Sequence, residues 1–97
     1  MSELKSVNFE VFGKVQGVFF RKYTCENAKK LGLNGFVQNT PRGTVIGALE
    51  GRVSAIEKMK NWLKNTGSPK SRIERVDFEN EKTIQSPSYS GFNIIRE

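Results

Sequence analysis

Histidine is absent from this chain, and cysteine occurs once, as Cys25. Without His, the commonest general acid and base of enzyme chemistry is missing. A single thiol forms no intrachain disulfide, so a reducing compartment is expected and the cytoplasm is the expected location. Nothing activates Cys25 as a nucleophile, and it falls inside a predicted helix, so a buried structural thiol is the expectation. No Cys/His set and no tight carboxylate cluster has metal-ligand spacing; neither a metal nor another cofactor is expected. No apolar run approaches a membrane span or a signal-peptide core, so no membrane insertion or processing is expected. Linkers, repeats and low-complexity tracts are missing too. The 97 residues are therefore read as one domain, 1–97, near the lower limit for an apolar core without staples.

What is present is a basic chain with enough apolar material for a core. Sixteen Lys and Arg against ten Asp and Glu leave a formal charge of +6, and 36% of residues are hydrophobic. The surplus favours anionic partners without choosing among them, and solubility alone also explains it. Val7, Phe9 and Val11 alternate with Asn8 and Glu10 in residues 5–13, which predicts a half-buried strand. From Phe20 the period lengthens: Phe20, Tyr23, Thr24, Ala28 and Leu31 share a helical face, and Gly32 is placed to end the helix. Asn34-Gly35 reads as a helix-to-strand connector. Two β-rich runs, 35–39 and 44–51, flank a turn containing Pro41 and Gly43, which predicts a hairpin. Ser54 and Glu57 have capping-box spacing and predict a second helix with Val53 or Ile56, Met59 or Lys60, and Leu63 inward, Trp62 beside them. Residues 66–72 break it, 73–81 form a strand, and 92–97 a short terminal one. Phe9, Phe36, Trp62 and Phe78 are expected in the core. The order β-α-β-β-α-β plus a short fifth strand predicts an α+β, ferredoxin-like split β-α-β sandwich, with two helices on one face of a mostly antiparallel sheet.

This topology concentrates chemistry at one rim. The first two strands run parallel, so residues leaving the first, Gly13 to Arg21, and Asn39 at the end of the second reach the same edge of the sheet. In "GKVQGVFFR", residues 13–21, glycines let backbone N–H groups converge, and Arg21 offers a planar fork of donors. The start of the first helix lies there as well and favours an anion. Two readings stand for each residue. Arg21 is either a surface side chain or the partner of an anion; its charge opposes the helix dipole, which an anion at the same place would offset. Asn39 either orients a reactant or shapes the exit from its strand. Gly13 and Gly17 serve a cradle or an ordinary turn, and Gly43 and Gly51 are read as structural. Without His, metal or nucleophile, catalysis is restricted to reactions with a good leaving group. Hydrolysis of a mixed carboxylic–phosphoric anhydride fits, because the departing carboxylate needs no proton.

At these residues the chain resembles a known family. "VFGKVQGVFFR" and "GFVQNTPRGTVIGALEG" look like the two signatures of acylphosphatase, and "SPKSRI" near residue 70 is also similar, the match running through nearly the whole chain. The resemblance implies a metal-independent hydrolase that converts an acyl phosphate and water to carboxylate and orthophosphate. It implies that Arg21 binds the phosphate and that Asn39 orients the attacking water. Backbone N–H groups of Lys14, Val15, Gln16, Gly17, Val18, Phe19 and Phe20 would cradle the anion, with Gly13 and Gly17 giving the loop its shape. No chemistry is attached to the side chains of Phe19 or Cys25. Expected partners are a small acyl phosphate or a protein aspartyl-phosphate as substrate, and inorganic phosphate as product and inhibitor, acting on a monomer. Two other classes compete: an RNA-binding module, disfavoured because residues 42–49 carry no aromatic for base stacking, so no nucleic acid is expected, and a non-catalytic anion-binding domain, which a missing Arg or Asn would signal.

Overall fold

The computed structural model describes residues 3–96; Met1, Ser2 and Glu97, the outer residues of the expected domain and of its terminal strand, lie outside the described residues. Seven elements follow in the expected order: β1 (Leu4–Lys14), α1 (Phe20–Lys30), β2 (Asn34–Asn39), β3 (Val45–Arg52), α2 (Val53–Asn65), β4 (Arg72–Ile84) and β5 (Phe92–Ile95). The strands form one sheet in the order β4-β1-β3-β2-β5. Neighbours are antiparallel except β2 and β5, which run parallel. Since β3 is antiparallel to both β1 and β2, those two strands point the same way, and their C-terminal ends share a rim. The result is the ferredoxin-like α+β sandwich.

Alternation along β1 buries Val7, Phe9 and Val11, and β3 sets Leu49 and Val45 beside Val7 and Val11. Both helices cover this side. From α2 come Ala55, Ile56, Met59 and Leu63; from α1 come Phe20, Thr24, Cys25 and Ala28. Tyr23, expected on the inner face of α1, points outward, and Cys25 packs inward instead. Phe9 is in the core, Trp62 and Phe78 border it, and Phe36 is a correction: it stands on the helix-free face against Tyr89, centroids 5.6 Å apart. The reason is register: Phe36 pairs with Ala48, whose neighbours along β3, Gly47 and Leu49, oppose the inward Phe9 and Val7.

The ends of α1 decide where the functional rim lies. At its C-terminus, Leu33 N–H donates to Ala28 O and Gly32 N–H to Lys29 O, with Gly32 at φ 72°; this Schellman pattern turns the chain sharply into β2. Asn34 and Gly35, expected as a connector, already belong to β2. The start of α2 departs from expectation. Ser54 is not its cap: the helix begins at Val53, directly after the extended Arg52, with no side-chain cap. Val53 N–H instead donates to Glu3 O at 3.4 Å, so the chain ahead of β1 takes one of the open donors. β4 is longer than the expected 73–81, running on past a register shift near Asn80, whose φ is 57°.

Candidate active site

Between β1 and α1 the chain crosses the rim in five residues, 15–19. Val15 and Val18 are the apolar anchors, 1% and 8% exposed, so the segment between them is held against the core while its backbone faces outward. Gly17 has φ 73°, a conformation that favours glycine. Gly13 serves differently. It lies inside β1 at a register shift, φ 128°, and an added Cβ there would collide with the carbonyl of Arg72 on β4. Close approach of two strands, rather than loop shape, requires that glycine. Lys14 is likewise the last residue of β1, paired with Arg72.

Among the described residues, no backbone carbonyl or side chain accepts a hydrogen bond from the N–H groups of Gln16, Gly17, Val18 and Phe19. The first helical N–H groups, of Phe20, Arg21 and Lys22, are open too; the ladder begins with Tyr23 donating to Phe19 O at 3.1 Å. The first turn of α1 contains no acidic residue that would offset the positive end of the helix dipole. A patch of unpaired donors at a positive helix end is a place for an anion.

Arg21 sits above these donors on the first turn of α1. Its Nη1 reaches Ile95 O at 3.5 Å, the outer limit of a hydrogen bond, and no carboxylate pairs with it among the described residues. The guanidinium therefore keeps most of its donors. Asn39, the last residue of β2, turns toward the helix side like Val37, and its Oδ1 is buried without a partner. An unsatisfied buried acceptor costs about 1–3 kcal/mol, so a water or ligand hydrogen there would recover that loss. Arg21 and Asn39 line two adjoining clefts of about 450 and 510 Å³. The larger also contains Gly17, Phe19 and Lys22. Arg96, just beyond β5, borders both. Among the described residues, the cleft walls thus carry Arg21, Lys22 and Arg96 and no carboxylate.

The side of the cleft opposite α1 is the turn after Asn39, and it is held by a closed hydrogen-bond network. Thr40 N–H donates to Thr44 O at 2.9 Å, and Thr40 Oγ1 accepts from the N–H groups of Arg42 and Thr44, both at 3.2 Å. Thr44 Oγ1 donates to Glu10 Oε2 at 2.6 Å, so its oxygen is left to accept the Thr40 hydroxyl, also 2.6 Å away. Arg42 bonds to the same carboxylate oxygen. The Thr44 hydroxyl, then the Arg42 guanidinium, hold the Glu10 carboxyl below its usual value of 4.5, against the opposing effect of its partial burial. Gln16 closes the circle. Its Nε2 donates to Thr40 O and Thr44 O, each at 2.8 Å, tying the donor loop to the turn that carries Asn39.

Three side chains that line or bridge the cleft carry no signal of it in the sequence. Gln16 was a candidate through its backbone only; its side chain is the strut across the cleft. Arg96 has no local signal, because one more Arg in a basic chain is ordinary. Phe19, expected to serve through its backbone alone, is the N-cap of α1, at φ 58°, 73% exposed and lining the cleft. Cys25 lies away from the cleft, buried, with Sγ donating to Phe92 O at 3.6 Å. Phe20 has its side chain buried against Trp62, centroids 5.9 Å apart, so only its backbone faces the site.

The fold and this rim define a small ferredoxin-like α+β protein with a cationic cleft bordered by open backbone amides. Residues 7–94 match the acylphosphatase family model. The chain is 59% identical over 93 residues to acylphosphatase-1 of Mus musculus, covering 96% of this chain and 94% of that one. It is 55% identical over 91 residues to acylphosphatase-2 of Bos taurus, covering 94% and 92%. Among solved structures, the acylphosphatase from Bacillus subtilis superposes with a TM-score of 0.86 at 30% identity, covering 95% of this chain and 99% of that one. That from Coxiella burnetii gives 0.85 at 32%, covering 96% and 94%. The chain belongs to the acylphosphatase family. It is a hydrolase of acyl phosphates.

Proposed function

We propose that the chain acts as one domain in which Arg21 and the open N–H groups of residues 16–20 bind the phosphoryl end of an acyl phosphate, while Asn39 holds the attacking water. Lys14, in β1 and paired with Arg72, falls outside that open run. The observation that supports this reading is the pairing, on one cleft, of an Arg without a carboxylate partner and a buried amide oxygen without a donor, both among the described residues. A water donating one hydrogen to Asn39 Oδ1 points its lone pair at a phosphorus held beside Arg21. Attack forms the new P–O bond as the bond from phosphorus to the bridging oxygen breaks. The electron pair leaves with the carboxylate, whose conjugate acid has a pKa of about 4, so no proton donor is required. The water's two protons end on orthophosphate and solvent. Charge gathering on the equatorial oxygens is met by the guanidinium and amide dipoles, which are already oriented.

No three His, Cys, Asp or Glu side chains gather into a metal-binding group among the described residues; in this reading Arg21 and the amides supply the positive field. A nucleic-acid role finds less support, because the helix-free face carries Glu10, Asp77 and Glu79 beside Phe36 and Tyr89, and carboxylates repel a phosphate backbone. The test is phosphate release from acetyl phosphate and from phosphoserine, each with and without excess chelator. Acetyl phosphate should be hydrolysed at the same rate under both conditions, and phosphoserine hardly at all, since no residue protonates an alkoxide. Comparable turnover of the ester would contradict the leaving-group argument, and loss on chelation restored by a divalent ion would contradict the charge assignment. Inorganic phosphate should inhibit competitively.

A further inference from the structure

Phe19 is the most exposed large apolar side chain among the described residues, 73% open to solvent, in a cleft that it shares with Arg21, Lys22, Arg96 and Asn39 and with the aliphatic side chains of Val15 and Ile94. No aromatic ring stacks on it; Lys22 Nζ lies 6.0 Å from its centroid, at the outer limit of a cation–π contact. Its backbone is also left-handed, φ 58°, where a bulky side chain is disfavoured and Gly or Asn is ordinary. It caps α1 without any side-chain hydrogen bond. Neither helix capping nor core packing therefore explains a phenylalanine here.

We infer that the Phe19 ring is the wall against which the acyl group of the substrate lies, and that it selects acyl phosphates with aromatic or extended apolar acyl groups. The inference rests on the placement of the phosphoryl end beside Arg21 and the open amides. With phosphorus anchored there, the bridging oxygen and carbonyl carbon lead the acyl substituent outward along the cleft, and Phe19 is its one exposed aromatic surface. The backbone N–H of residue 19 stays with the phosphate, while its side chain meets the leaving group. One residue would thus serve both halves of the substrate.

The test compares kcat/KM for benzoyl phosphate and acetyl phosphate in the wild type and in Phe19→Gly, Phe19→Ala and Phe19→Trp, with melting temperatures. The Gly and Ala variants should lower the benzoyl-to-acetyl ratio by about five- to tenfold, chiefly through KM for benzoyl phosphate, and Trp should keep the ratio high. Phe19→Gly should melt no lower than wild type, because the left-handed backbone suits it. The ratio is independent of any general loss of rate, so a damaged loop does not mimic the result. A ratio within about twofold of wild type in both small variants overturns the inference. If the wild type releases phosphate from neither substrate, the assignment of the site itself fails, and that outcome is distinct from an unchanged ratio.

Discussion

At the scale of single residues, the site separates side chains that face the cleft from those that only adjoin it in sequence. Cys25 lies one helical turn beyond Arg21 on the same side of α1, but its thiol is buried against Phe92 O of β5 and lines neither cleft, whereas Arg21 lines both. Cys25→Ser should keep kcat and KM within about twofold and lower stability modestly; a loss of turnover beyond about tenfold, roughly 1.4 kcal/mol of barrier, would return a covalent route to consideration. Arg96 is the reverse case, remote in sequence and inside the cleft wall. Its guanidinium adds to the field without having a contact of its own among the described residues, so Arg96→Ala should raise KM and phosphate Ki about two- to fivefold and leave kcat nearly unchanged, as removal of a screened charge does. A larger fall in kcat than in affinity would show that Arg96 acts on the transition state. Arg21 and Asn39 were legible as candidates because their residue types and motif spacing suit the proposed chemistry. Arg96, Gln16 and the Phe19 ring were not, since each acts through a neighbour that only the fold supplies.

At the scale of elements, the cleft is two walls, α1 with its preceding loop and the turn from β2 to β3, joined by the Gln16 amide. Deleting that strut removes two hydrogen bonds while each carbonyl keeps a backbone partner, Gly43 N–H for Thr40 and Thr40 N–H for Thr44. Gln16→Leu should therefore cost only about 1–2 kcal/mol of stability, read as a lower Tm, yet weaken phosphate binding by loosening the spacing between loop and turn. Unchanged phosphate affinity with the lower Tm would make Gln16 a purely structural tie. Most element boundaries could be read from period and turn residues: Gly32 closes α1 and Pro41-Arg42-Gly43 turns the hairpin. The exceptions share a cause. Ser54 carries a capping signature, but β3 runs straight into α2 and Glu3 O takes the Val53 N–H, so a backbone contact from the other end of the chain displaced the local signal. Phe36 looked like core by composition, and only its pairing with Ala48 assigns it to the open face.

At the scale of the whole molecule, pH acts on the fold through the carboxyl that braces the turn. Glu10 has its folded value depressed by Thr44 and Arg42, so its contribution is fully present above the ordinary value of 4.5 and is lost as pH falls through the lower folded value. The stability gap between wild type and Glu10→Gln should thus be constant above about pH 5 and shrink as the solution is made more acidic; a gap that widens with acid would contradict the assignment. The sandwich's larger contribution is to bring the ends of two parallel strands to one rim, so that Arg21 and Asn39, from α1 and β2, line the same clefts. The division of labour between them is the central claim, and steady-state kinetics of folded Arg21→Ala and Asn39→Ala with acetyl phosphate, alongside the Ki of inorganic phosphate, test it directly. Arg21→Ala should weaken phosphate affinity by about tenfold or more and lower turnover as well. Asn39→Ala should lower kcat by roughly 10²–10³ with KM and phosphate Ki nearly unchanged. An Asn39→Ala enzyme that keeps its kcat but loses phosphate affinity would make Asn39 a binding residue and contradict the account.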